Sequence, residues 1–372
     1  MYLDRIKKVR ARMAKEGVDL LLLGPSSDIF YLAGYGIKGD KRLLLLVLPL
    51  AGEAFILANL LYREQVQAIP AAPLLDAFIF WKDGEDPFSL LKTEIEKRNI
   101  PVKKAALEIS MPALFTLPLR NCFPGTDFVL ASSLTDPLRQ YKDPNELELI
   151  RRACRESDRA LAAVIDKTGE SGSYWIGKTE AEFYEALSAE FSRAGLSHFG
   201  AGIAVGANAA VPHHVPGRSV IEEGKCLLVD FWGRFEGYHT DCTRTFHFGR
   251  AEKEFEKIHD IVLEAQEAAQ RAAIIGNTLA DVDFAARSVI EKAGYGENFT
   301  HRTGHGCGID PHEGDSVNAG VNVPLAPGMV FSIEPGIYLP GRFGVRIENL
   351  VAMGEQAAEI LHTYPRELKV LS

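Results

Sequence analysis

Two hairpin-like stretches constrain this chain more than anything else in it, because each carries an acidic residue on both arms among apolar neighbours. In the first, Leu227-Leu228-Val229-Asp230-Phe231-Trp232 runs into a turn around Phe235 to Gly237 and returns through Tyr238-His239-Thr240-Asp241, which sets Asp230 and Asp241 roughly opposite. In the second, Ser332-Ile333-Glu334-Pro335-Gly336 turns at Pro340-Gly341 and returns through Val345-Arg346-Ile347-Glu348, which faces Glu334 with Glu348. Carboxylates that face each other across strands repel, and they lose hydration at a cost unless a cation lies between them. Either pair taken alone reads equally well as a solvent-facing pair. Two such pairs in one chain favour a divalent metal.

A histidine motif adds a third piece: Thr303-Gly304-His305-Gly306-Cys307-Gly308-Ile309-Asp310-Pro311-His312-Glu313. Its glycines allow the backbone to pack closely around His305 and to bring His312 back to the same cavity. A phosphate-binding loop is the competing reading, but no Lys-Ser or Lys-Thr follows the glycines. His301 and Arg302, just before the motif, are candidates to support the ligands, and for His301 a satisfied structural role is the simpler reading. Four carboxylates with one imidazole form a hard donor set that suits Mn, Co, Fe or Zn in a paired site. Two such ions about 3.5 to 4 Å apart share carboxylates and hold a hydroxide between them, so hydrolysis is the chemistry this set suggests.

Composition narrows the partners. The net charge is -9, and no basic run exceeds the pairs Lys7-Lys8 and Lys41-Arg42, so neither nucleic acid nor anionic lipid is an expected partner. The opening residues read as an amphipathic helix rather than a secretory leader, and the longest aliphatic run, Leu43 to Leu50, is a buried strand too short to span a bilayer. A cytoplasmic protein without membrane contact is expected. Cys122, Cys154, Cys226, Cys242 and Cys307 are scattered and odd in number, which suits buried free thiols rather than a disulfide framework.

Across 372 residues the hydrophobic periodicity changes character once. Residues 1 to about 131 alternate helical and strand patterns: a helix face at Leu3, Ile6, Val9 and Met13, strands at Val18 to Leu23, Leu43 to Val47, Phe55 to Leu57, Ala105 to Glu108 and Phe128 to Ala131, and a helix from Glu85 to Arg98. Leu134-Thr135-Asp136-Pro137 reads as a linker, giving an α/β domain over 1–133 and a second domain over 134–372. In the second, helices are expected at Asn145 to Lys167, Thr179 to Ala194, Glu252 to Ile275 and Asp281 to Lys292. Strands are expected at Ile203 to Val205, Lys225 to Trp232, Tyr238 to Phe248, Met329 to Tyr338 and Gly344 to Met353. Sequential, hairpin-linked strands with helices around them point to an antiparallel sheet.

Taken together, these residues resemble the pita-bread metallopeptidase family, which includes aminopeptidase P, prolidase and methionine aminopeptidase. The matching motifs are Asp230 through Asp241 with Thr243-Arg244-Thr245, Gly304-His305-Gly306 through His312-Glu313, Ile333-Glu334-Pro335-Gly336, and Arg346-Ile347-Glu348. The resemblance implies an α+β chain: a curved antiparallel sheet flanked by helices, behind a smaller creatinase-like α/β domain. It implies an exopeptidase, an Xaa-Pro aminopeptidase or Xaa-Pro dipeptidase, that cuts in front of proline by means of a hydroxide bridging two divalent ions, manganese among them. Asp230 would bind one ion, Asp241 and Glu348 would bridge both, and His305 with Glu334 would complete the other.

Glu334 would also take a proton from the attacking water. His213 matches the family histidine that hydrogen-bonds substrate or leaving group, with His214 as its unresolved neighbour. His312 matches the one that steadies the tetrahedral intermediate, and Arg346 would orient carboxylates. Peptides or dipeptides with proline second are the implied substrates, and a homodimer the implied assembly. Two features depart from the common pattern. Trp232 stands where glycine often follows Asp-Phe, and Glu313 to Ile333 lacks the arginine with which prolidases often hold a dipeptide's carboxylate; Arg342 or another subunit is the substitute to look for. The alternatives are a non-peptidase on the same fold, a creatinase-like hydrolase or a metal-dependent lyase, and a catalytically inactive binding module.

Overall fold

The computed structural model describes residues 1–36, 38–166 and 174–371, and the chain divides into two compact units, Met1–Arg139 and Gln140–Ser372. In the first unit the elements run α1 (Tyr2–Glu16), β1 (Leu20–Leu23), α2 (Ser27–Ala33), β2 (Leu45–Pro49), β3 (Phe55–Asn59), α3 (Arg63–Gln67), β4 (Ala77–Trp81), α4 (Pro87–Lys97), β5 (Lys104–Leu107), α5 (Ala113–Cys122), β6 (Asp127–Leu130) and α6 (Ser132–Arg139). The strands form one mixed sheet in the order β4-β3-β2-β1-β5-β6. Strands β1 to β3 are buried along their whole length, which is why they read as unbroken aliphatic runs rather than alternating ones.

Besides α6, four elements of this unit were invisible to periodicity: the short helices α2 and α3, strand β4 and helix α5. Strand β4 is short and largely half-buried, and α5 carries Pro118 in its interior. The stretch Leu134-Thr135-Asp136-Pro137, read as a linker, lies inside α6, and the units part after Arg139. Here Leu134 and Thr135 are buried, Thr135 Oγ1 donates to Asp28 Oδ2 at 3.0 Å, and Arg139 is paired with Asp28 at 2.9 Å. These contacts fix α6 on either side of Pro137, whose missing N–H removes one intrahelical hydrogen bond.

The second unit runs α7 (Pro144–Asp166), α8 (Glu180–Arg193), β7 (Ser197–Val205), β8 (Cys226–Phe235), β9 (Tyr238–Phe248), α9 (Lys253–Ala272), α10 (Leu279–Lys292), β10 (Gly304–His305), β11 (Ser316–Val317), β12 (Val330–Ile333), β13 (Gly336–Leu339), β14 (Phe343–Arg346), β15 (Asn349–Met353), β16 (Ala358–Ile360) and β17 (Val370–Leu371). The helices fall where their periodicity placed them, except that α9 stops at Ala272 and leaves Ile274 and Ile275 exposed; Lys167, expected to end α7, lies outside the described residues. Helices α8 and α10 both open on capping boxes, Thr179 with Glu182 and Thr278 with Asp281. The strands pair antiparallel as β9-β8-β7, β12-β15-β16, β13-β14 and β10-β11, with β17 joining β9 in parallel. This is the expected α+β architecture, a smaller α/β unit followed by antiparallel sheet among helices.

Alternation along β8 and β9 decides which side chains meet which layer. Leu227, Val229, Phe231, Cys242, Phe246 and Phe248 pack with α7 and α8 in one core. Leu228, by contrast, belongs to a second core that includes α9, α10, β12 and β15. Asp230, Asp241 and Thr243 share the face of Leu228, because side chains alternate with period two.

Across the back of β9 the C-terminal segment is fastened by one buried carboxylate. Asp158, on α7, accepts from His362 Nδ1 at 2.8 Å, Thr363 Oγ1 at 3.1 Å and Tyr364 N at 3.0 Å, as well as from Thr363 N. Burial alone would raise its pKa, yet the His362 charge and these donors hold it below the usual range. Asp158→Ala is expected to cost about 3–5 kcal/mol, because it strands a buried imidazole and frees the segment. Urea unfolding measures it, and a loss under about 1 kcal/mol would show that the knot is peripheral. Among the described residues no helix is long and apolar enough to cross a membrane, and four of the five free cysteines are buried, with Cys122 half-buried.

Candidate metal centre

The two acidic hairpins keep their turns but differ in register. In the first, Glu236 and Gly237 both adopt positive φ, at 46° and 94°, the geometry of a two-residue hairpin turn. The resulting ladder pairs Asp230 with Thr243 and Trp232 with Asp241, so the two aspartates are diagonal neighbours on one face rather than directly opposite. The expected facing pair is therefore offset by one step. In the second hairpin Ile333 pairs with Asn349 and Gly336 with Arg346, and the shared register sets Glu334 against Glu348 as expected.

The long strands expected at Met329 to Tyr338 and Gly344 to Met353 are each interrupted where these glutamates stand. Pro335 has no N–H to give a ladder. Glu334 N donates instead to Thr303 O at 2.8 Å, and Glu348 N to Thr243 O at 3.1 Å, so the backbone of both glutamates is tied to the histidine loop and to β9. The sheet breaks at the acidic positions and turns them toward the other acidic pair.

His305 completes the group. Its Nε2 lies 3.2 Å from Glu334 Oε1 and 3.7 Å from Asp241 Oδ2, while its backbone N–H donates to Ser332 Oγ at 3.0 Å. The loop fits only because it is glycine-rich: a Cβ on Gly304 would stand 1.9 Å from Ser332 O, and one on Gly306 2.0 Å from Glu313 O. Donor atoms of Asp230, Asp241 and Glu348 lie within 4.8 Å of one another, and so do those of His305, Glu334 and Glu348. Asp241, His305 and His312 form a third such group, so Asp241, Glu348 and His305 each belong to two. All of them line a cavity of about 1070 Å³.

The electrostatics of this group favour a cation. Burial, then Glu348, Asp230 and Glu334, push Asp241 well above the usual carboxylate range, and burial with Glu348 does the same to Glu334. Burial and Asp230 raise Glu348 to about 7. Glu348 Oε1 is buried with no hydrogen-bond partner, while its Oε2 accepts from Thr243 Oγ1 at 2.7 Å. Burial, then the neighbouring His312, drop His305 to about 3, leaving a neutral imidazole free to act as a ligand. Mutually destabilised carboxylates, an orphaned oxygen and a neutral imidazole fit divalent metal.

Other predicted residues fall around this group. Arg346 donates to Asp230 Oδ2 at 2.7 Å, Tyr338 Oη at 2.9 Å and Thr243 Oγ1 at 3.1 Å. His312 is exposed on the cavity side, with its ring 3.9 Å from that of His305. His213 is exposed at the cavity wall, whereas His214 is held by Glu180 at 2.9 Å. His301 bonds Tyr338 Oη at 2.7 Å, the structural role expected of it. Arg342 pairs with Glu254 at 2.5 Å and is absent from the cavity lining, so within this chain it does not replace the missing arginine.

Sequence reasoning missed Ser332 and Tyr338, which carry hydrogen bonds to the acidic and basic groups. Ser332 could have been found, since it lies two residues before Glu334 on the same strand face. Tyr338 reaches Arg346 across β13 and β14, a contact only the register reveals. The triad Asp158, Cys242 and His362 also converges, but the carboxylate there is already filled by four donors and reads as the structural knot described above.

A helix-flanked antiparallel sheet with such a donor set on its inner face defines a metal-dependent hydrolase class. Residues 148–355 match metallopeptidase family M24, and residues 5–141 match the creatinase/prolidase N-terminal domain. The chain belongs to metallopeptidase family M24. It is 36% identical to a probable dipeptidase, PepE, of Mycobacterium tuberculosis, over 100% of this chain and 97% of the relative. Among solved structures it is similar to a prolidase from Thermococcus sibiricus, with a TM-score of 0.92 and 34% identity over 100% of this chain and 99% of that one. A dipeptidase from Pyrococcus horikoshii aligns with a TM-score of 0.90 and 34% identity, over 99% of this chain and 100% of that one.

Proposed function

We propose that the chain is an Xaa-Pro peptidase that uses two divalent ions, manganese, cobalt, zinc or iron, to release the residue preceding proline. The observation that carries this reading is the place of Glu348 in both the Asp230-Asp241 group and the His305-Glu334 group, with Asp241 Oδ2 3.7 Å from His305 Nε2, an arrangement that suits bridging carboxylates. Asp230 would hold one ion, His305 and Glu334 the other, with Asp241 and Glu348 common to both. When bound, such ions supply an activated water and polarise the scissile carbonyl.

The chain's own residues would do the rest. Glu334, raised by burial and Glu348, and with Oε1 taken by Ser332 at 3.0 Å, is suited to accept a proton and pass it to the leaving imino nitrogen. His312 and His213, on the open side of the cavity, would donate to the carbonyl oxygen and to the substrate backbone. Arg346 would fix Asp230 in its ligating orientation. Prolidase and dipeptidase relatives support the dipeptide class, and a homodimer acting in the cytoplasm is part of the same reading.

The test is hydrolysis of Ala-Pro and of Ala-Pro-Ala by the purified protein, with Ala-Ala as the control for proline preference. Activity on the proline peptides is expected to disappear on chelation and to return with manganese or cobalt. No hydrolysis with any of the four metals would overturn the peptidase reading, and faster hydrolysis of Ala-Ala would overturn the proline preference.

A further inference from the structure

The wall of the cavity that carries His213 is a loop tied at its neck by one carboxylate, Glu180, in the first turn of α8. Glu180 Oε1 accepts from Val205 N at 2.9 Å and Asn208 Nδ2 at 2.8 Å, and Oε2 from His214 Nε2 at 2.9 Å and Gly217 N at 3.0 Å. Val205 ends β7 and Gly217 leads away from the cavity, so a single group draws both ends of the loop together and holds its middle through Asn208 and His214. The helix adds two backbone bonds at 3.0 Å, Glu180 N to Ser219 O and Ala181 N to Gly217 O. Glu180 is wholly buried and absent from the cavity lining, so it is out of reach of a substrate.

His213, by contrast, is exposed on the cavity side, and among the described residues its ring makes no hydrogen bond. Its place is therefore set by its backbone. Val211-Pro212-His213-His214 is a β-turn closed by His214 N to Val211 O at 3.1 Å, with proline where its fixed φ suits and His213 next to it at the corner. The following ring, His214, turns inward onto Glu180. Burial alone would raise the pKa of Glu180, yet Asn208, His214 and the backbone N–H groups of Val205 and Gly217 hold it below the usual range. A carboxylate ion accepts about four hydrogen bonds, and here all of them go to the loop that presents His213.

We infer that Glu180 is a positioning residue for the reaction: by closing the neck of the 205–217 loop it holds His213 where that histidine meets the substrate. The inference rests on the peptidase reading above, in which His213 donates to the substrate backbone. Glu180→Gln tests it, since glutamine keeps the size but turns an N–H2 group toward donors on one side of the loop. The measurement is a double-mutant cycle on the metal-loaded full chain with Ala-Pro as substrate, comparing wild type, Glu180→Gln, His213→Ala and the two combined. A displacement of about 1 Å in a substrate-holding group costs up to about 100-fold, so Glu180→Gln is expected to lower kcat/KM by about 30- to 100-fold with metal content unchanged. Because the effect passes through His213, the double variant is expected to lie within about threefold of His213→Ala alone. Amide hydrogen exchange is expected to quicken across 205–217 and to stay as in wild type along β8 and β9.

If the two losses multiply, or if exchange in the loop is unchanged, Glu180 does not act through His213; the inference is then wrong and the peptidase reading stands. Wild type inactive on both Ala-Pro and Ala-Pro-Ala overturns that reading and the inference with it. Should Glu180→Gln not fold, Asn208→Ala takes its place in the cycle, because it removes one donor from the same carboxylate. The expected loss is then about tenfold, the scale of one hydrogen bond to a charged group, and it is again expected to vanish in the His213→Ala background.

Discussion

Asp241→Asn is expected to lower kcat by at least about 1000-fold while leaving the fold intact. Asparagine matches the aspartate in size, and the position on β9 is buried beside Trp232, so packing is conserved and only the charge is lost. That charge is opposed by burial and by Glu348, Asp230 and Glu334. Metal charge stabilisation is worth several kcal/mol to a hydrolytic transition state, and each 1.36 kcal/mol is tenfold in rate. Metal content by plasma mass spectrometry is expected to fall from two ions per chain to one or none. Without metal the sign reverses: the variant is expected to melt above the chelated wild type at neutral pH, because one of the repelling charges is gone. Retention of two ions by the variant would refute a shared role for Asp241.

Metal removal is the second large effect, and its pH dependence has a definite sign. Glu348 sits at about 7 in the folded chain, raised by burial and by Asp230, against about 4.3 for an unperturbed glutamate. A carboxyl whose folded pKa is raised stabilises fully below its unfolded pKa, and that contribution is lost as pH rises through the folded one. The metal-free chain therefore loses stability between about pH 4 and 7, while bound cations neutralise the same charge in the loaded protein. The melting gap between loaded and chelated protein is expected to widen by about 5–10 °C from pH 5 to 8, corresponding to a few kcal/mol in a unit of this size. Asp158 contributes equally to both forms, and so cancels. Differential scanning calorimetry measures the gap, and a gap that narrows with pH would mean that the carboxylates are compensated by something other than metal.

What was legible in the sequence follows from how local each signal is. The turns at Glu236-Gly237 and Pro340-Gly341, the capped helices and the glycine-rich loop are written in residues next to one another, and the fold follows them closely. The four candidate carboxylate ligands were recognisable because carboxylates among buried aliphatics need a reason, and His305 because glycines flank it. The register of the second hairpin was legible and that of the first was not: a hairpin turn placed one residue differently moves Asp230 from Asp241 to Thr243, as found. The break in both late strands at Glu334 and Glu348 depends on backbone bonds to Thr303 and Thr243, far away in the sequence. The helix over Pro137 depends on Asp28, more than a hundred residues earlier, and no local rule for proline could have revealed it.

The central claim is that Asp230, Asp241, His305, Glu334 and Glu348 hold a pair of ions. Crystals of the manganese-loaded protein, with diffraction recorded on both sides of the manganese absorption edge, test it most directly. The account predicts two anomalous peaks, one bounded by Asp230, Asp241 and Glu348 and the other by His305, Glu334, Asp241 and Glu348, separated by about 3.5–4 Å. A single peak, or peaks elsewhere with these carboxylates unoccupied, would contradict it.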